Sequence, residues 1–179
     1  MENGQEGGIG GYYFLIQNAV LMIGFLIHVF ADRHADRRTK PRVIGLAMLW
    51  AVVGVGSWSL IAGIGHIGPN SDDVAADIGF AQSMFQWELG WADIGLGILA
   101  IGCVWKRDGW LTAAVVMLVV MYIGDLSGHI MEYVAHDNDA PNNVWAIPSD
   151  FFQPVVAVIM FIAYRRTRSI EPAASPVAA

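Results

Sequence analysis

Five apolar stretches, 9–31, 43–67, 80–105, 110–133 and 144–164, take up most of the 179 residues. Each is close to the ~20 residues an α-helix needs to cross a hydrocarbon core. With 55% hydrophobic and only 15% charged residues, a soluble domain of this length would have too little polar surface to cover itself. The expected fold is therefore all-α, a helical transmembrane bundle of five segments. Pro148 and Pro154 interrupt the last stretch, so the count falls to four if that segment is kinked and re-entrant. A single membrane domain over 9–168 is expected, between an outer tail at 1–8 and a disordered tail at 169–179.

Charge sets the expected orientation. All 10 Lys and Arg fall in the 31–43 and 105–110 connections or after the last segment. The positive-inside rule then places the amino terminus outside and the carboxyl terminus in the cytoplasm, as in a multi-pass protein of a bacterial inner membrane. The first segment has no basic residue ahead of it and reads as a retained anchor. Trp87, Trp145, Tyr12 and Tyr13 at one boundary, and Trp105, Trp110 and Tyr164 at the other, form interfacial belts. The one cysteine, Cys103, excludes a disulfide or a dithiol within the chain.

Of the 16 Asp and Glu, only Asp32, Asp36, Asp108 and Glu171 lie on the basic side. The loop acids on the other side are what the orientation rule leaves behind, whereas acids inside helices need partners. A carboxylate facing hydrocarbon costs at least ~2.5–3.5 kcal/mol near the bilayer centre, so Glu88, Asp93 and Asp125 are expected to face the bundle interior. At ~1.5 Å per residue, Asp93 and Asp125 come out at one depth, about 12 Å below the outer boundary, with Glu88 and His129 paired above them. In "GDLSGHIMEYVAHDND" the residues Asp125, His129, Glu132 and His136 recur on one helical stripe, although by His136 the sequence has become turn-like. Gly124 and Gly128 form a GxxxG beside this stripe, and Gly90, Gly95 and Gly97 surround Asp93; such residues commonly mark close helix packing.

Three chemistries compete for this cluster. A divalent metal would find nitrogen and oxygen donors in His129, Glu132, Asp125, Glu88, Asp93 and His66, with the His129 and Glu132 pair at the i, i+3 spacing that lets one helix give two ligands. A haem held by His66 and His129 fits less well, because carboxylates would crowd the porphyrin. A proton wire would stop halfway, since the inner halves of segments two to five lack ionisable groups other than Cys103, Tyr122 and the residues at the boundary. Asp150 and Gln153 are candidates to join the cluster, and hydrogen-bonded packing alone is the plain alternative.

The stretches "FQWELGWADIGLGILAI", "GDLSGHI" and "SDFFQPVVAVIMFIAY" resemble an uncharacterised family of small bacterial multi-pass membrane proteins, over residues 85–164. Residues 88–121 are more distantly similar to DoxX-type proteins. That resemblance implies a four-helix bundle associated with oxidoreductase complexes and thiol stress, from which five segments and one cysteine depart. The residues point first to a cation- or metal-binding accessory protein, and next to a metal-dependent oxidoreductase component or a structural subunit. The expected partners are the lipid bilayer and either a membrane complex or further copies of the chain, with no nucleic acid.

Overall fold

The computed structural model describes residues 12–169, so both tails expected at the ends lie outside the described residues, apart from Ser169. Among the described residues all regular structure is helical. Helix α1 spans Tyr13–Ala31; α2, Lys40–Leu49, runs through a π-helical turn at Trp50–Gly54 into α3, Val55–Ile67. A short helix α4, Ser71–Ile78, precedes α5, Met84–Gly102; α6 is Gly109–Ala135 and α7 is Pro141–Ser169.

Four of these runs are long and apolar enough to cross a membrane: Tyr13–Ala31, Lys40–Ile67, Gly109–Ala135 and Pro141–Arg168. The re-entrant alternative for the last segment does not hold. Pro148 and Pro154 sit inside a single 29-residue helix. Prolines are tolerated in such helices because neighbours can satisfy the backbone groups they free. The segment that falls short is α5, which is 19 residues long but carries Gln86, Glu88 and Asp93 in its first half. Large apolar side chains such as Met22, Ile27 and Phe30 on α1 and Val116, Val120 and Ile123 on α6 are exposed. A continuous apolar exterior of this kind is suited to lipid rather than water.

The helical runs alternate in direction. Helices α3 and α5 pack antiparallel and closest of all, because Gly56 and Gly63 on one and Gly90 and Gly97 on the other let the backbones meet. A Cβ on Gly63 would lie 2.5 Å from the Gly90 carbonyl oxygen, and one on Gly97 would lie 2.6 Å from Cβ of Leu60. Trp110 at the start of α6 donates to the Leu99 carbonyl (2.7 Å), turning the chain back at the end of α5. Arg165 near the end of α7 reaches Thr112 (3.1 Å), so α6 and α7 are antiparallel as well. Helix α1 lies parallel to α7 through a polar ladder in which Asn18 and Gln153 both donate to the Ser149 hydroxyl, at 2.9 and 2.8 Å.

This path puts all 10 Lys and Arg at one end of the bundle. That half is solidly packed around Met48, Val52, Leu96, Leu111 and Leu118, each fully buried. The other half is hollow.

Candidate functional site

The hollow half holds a cavity of about 300 Å³ between α1, α3, α5, α6 and α7. Helix α4 and the segment after it lie over it, contributing Ala75, Ile78 and Phe80 to its lining. The eight residues of α4 place Asp72 and Asp73 in the first turn, where the helix dipole favours acids, and end at Gly79 with a left-handed φ of 78°. The Asn138 amide in the α6–α7 connection donates to the Ile78 carbonyl (3.1 Å), clasping this cover to the rest of the bundle.

Of the six metal-ligand candidates, the structure brings four to the cavity wall: His66, Asp93, Asp125 and His129. Glu88 is exposed and Glu132 turns to the end of its helix, where its carboxylate meets the His136 ring nitrogen at 3.0 Å. Neither glutamate lines the cavity. The stripe that carries Glu132 is right in angle but too long, because α6 runs on past the cavity after His129. Asp150, in the first third of α7, joins the wall as its third aspartate.

Asp93 and Asp125 share the cavity but not a direct bond. The Ser59 hydroxyl donates to Asp93 at 2.6 Å, linking α3 to α5. His129 Nδ1 lies 2.8 Å from the side-chain oxygen of Asn143, whose own amide nitrogen donates to the Asn138 carbonyl at 2.8 Å. An amide oxygen only accepts, so Nδ1 carries the proton and Nε2 is left to face the cavity. Nε2 lies 3.8 Å from Oδ2 of Asp150, beyond hydrogen-bond reach.

Among the described residues, three polar atoms on the wall have no hydrogen-bond partner: Oε1 of Gln17, Nδ1 of His66 and Oδ2 of Asp150. Gln17 and Asp150 are each 2% exposed, and the Gln17 side chain also bonds with the Tyr122 hydroxyl. No Lys or Arg among the described residues lines the cavity to balance its three aspartates. Nor, among them, are three His, Cys, Asp or Glu side chains grouped closely enough to hold one metal ion. Aromatic side chains complete the wall. Phe80 and Phe14 lie 5.9 and 6.3 Å from the His129 ring, and Tyr13 packs on Trp58 at 5.5 Å while donating to its carbonyl at 3.1 Å.

Tyr13, Gln17 and Ser59 are site residues that the sequence reading missed. The place of Tyr13 at a segment boundary suits the interfacial belt, yet its hydroxyl turns inward to the Trp58 carbonyl. Gln17 and the adjacent Asn18 are uncharged amides in a mostly apolar run, and the signal was there: a polar group at membrane depth needs an interior partner. The glycines also change meaning. Gly124 and Gly128 line the cavity, and a Cβ on either would meet nothing within 4 Å, so this GxxxG shapes a void and not a helix contact.

No curated protein and no solved structure matches the chain. One family model spans all of the described residues, from 11 to 170. The chain accordingly belongs to DUF6790, a family of unknown function.

Proposed function

We propose that this is a membrane protein that takes a cation into the cavity between its helices, on the side of the membrane opposite its basic end. The observation that carries this reading is the wall itself: Asp93, Asp125 and Asp150 surround one space with no Lys or Arg among them. Three carboxylates withdrawn from water repel one another unless protons or a bound cation neutralise them. The positive-inside rule puts the basic end in the cytoplasm and the cavity outside, with α5 as a fifth crossing, as suits a bacterial inner membrane. The unpartnered acceptors Oε1 of Gln17 and Oδ2 of Asp150 favour this over a purely structural cluster, in which such atoms would be matched by donors.

The test is thermal unfolding of the detergent-purified protein against a panel of sodium, potassium, magnesium, calcium, manganese, zinc and alkylammonium chlorides. A cation bound by the folded state alone stabilises it by about 2.7 kcal/mol at a hundred times its dissociation constant. We expect a concentration-dependent rise with at least one cation, reduced in Asp93→Asn. Stability that responds to none of them, in a folded protein, would leave the structural subunit as the reading. A transition metal retained through purification and lost in His129→Ala would turn the reading to a metal-dependent oxidoreductase component.

A further inference from the structure

The shape and donor balance of the cavity narrow the kind of cation. Resting on the cation-binding reading of the same site, we infer that the cavity binds a small organic ammonium ion that carries N–H donors on an apolar body. Three independent features point there.

The first is size. At about 300 Å³ the cavity is at the lower end of the range for small-molecule pockets, room that a bare ion held directly by side chains would leave empty. The second is the sign of the hydrogen-bond imbalance. Oδ2 of Asp150 and Oε1 of Gln17 are acceptors without donors, each on a side chain almost wholly buried. A ligand that brings several N–H groups offers donors to both, and a protonated primary amine brings three together with its charge. A quaternary ammonium brings the charge alone. The third is the remainder of the wall. Tyr13, Phe14, Trp58, Phe80 and Phe85 line it with aromatic rings. Such rings cover a hydrocarbon body and attract a cation over their faces, neither of which a hydrated metal ion needs.

The inference is tested by calorimetric titration of the detergent-purified full chain. The probes are n-butylamine and 2-phenylethylamine, the uncharged 2-phenylethanol, and the N,N,N-trimethyl derivative of 2-phenylethylamine. We expect one or both primary amines to bind, the alcohol not to bind, and the trimethyl compound to bind roughly ten- to a hundredfold more weakly than its parent. Asp150→Asn should weaken amine binding by a similar factor, while Glu132→Gln, outside the cavity, should leave it unchanged. The comparison among ligands needs no variant, so it stands even if Asp150→Asn fails to fold. Equal binding of the alcohol or of the trimethyl compound would overturn the inference. Binding of an inorganic cation without binding of either amine would overturn it while sparing the cation reading. Binding of no cation of any kind would overturn both.

Discussion

Two aspartates show how differently one side chain is used at the two ends of the molecule. Asp32, just past the end of α1, is saturated: Arg42 donates to it at 2.7 and 3.2 Å, and the His34 backbone N–H at 3.1 Å, with the His34 ring 2.8 Å away. These contacts, the Arg42 hydrogen bond foremost, hold its carboxyl well below the ordinary value of 3.8. A carboxylate depressed in the folded state stabilises it fully above the unfolded value and loses that contribution as the pH falls through the folded one. Asp32→Asn should therefore lower the unfolding temperature at neutral pH by an amount that is constant down to about pH 4 and shrinks below it. Melting curves of both proteins between pH 3 and 7 would show this, and a gap that widens toward acid would contradict it. Asp150 is the opposite case, buried with one oxygen unpartnered. The sequence distinguished these uses only in part. The helical stripe pointed to Asp125 and His129, the depth count to Asp93, and its place at the outer end of the second segment to His66, because a polar group at membrane depth has few places to point. The same signals also pointed to Glu88 and Glu132, which do not line the cavity; depth and angle do not reveal where the neighbouring helices stop.

At the scale of elements, each of the five apolar stretches holds a long helix among the described residues, because apolar runs leave the backbone no partner but itself in lipid. What escaped the pattern were the pieces too short for it: α4, whose eight residues "SDDVAADI" read as loop, and the π-helical turn at Trp50–Gly54. Small residues were legible as such but not in their purpose. Gly56 and Gly63 on α3 meet α5 at Gly97 and Gly90 at backbone distance, whereas Gly124 and Gly128 face empty space. A Cβ on Gly97 would lie 2.8 Å from the Gly56 carbonyl oxygen, so something rigid must move. Gly97→Ala should cost about 1–3 kcal/mol through overpacking, while Gly124→Ala should change stability by less than about 0.5 kcal/mol and only narrow the cavity. Reversible unfolding in mixed detergent micelles measures both. Equal costs at the two positions would mean that the α3–α5 contact is not the tight seam and the cavity is not open.

For the whole molecule, the packed half carries every Lys and Arg and the hollow half carries the aspartate cavity, so function and orientation are one question. Arg37 and Lys106 belong to the connections at the basic end, and Asp73 lies on α4 over the cavity; all three are exposed. If α5 crosses the membrane along with the other four runs, Arg37 and Lys106 face one compartment and Asp73 the other. If α5 does not cross, Arg37 and Lys106 face opposite compartments, because only α2–α3 separates them. Cys103 does not interfere, since it is fully buried with its thiol 3.6 Å from the Leu99 carbonyl. In intact cells a membrane-impermeant maleimide should label Asp73→Cys and spare Arg37→Cys and Lys106→Cys until the cells are permeabilised. Labelling of Lys106→Cys but not Arg37→Cys would remove α5 from the membrane-crossing set. The full reverse pattern would turn the cavity toward the cytoplasm, and an ammonium ligand would then have to be one the cell makes rather than one it meets.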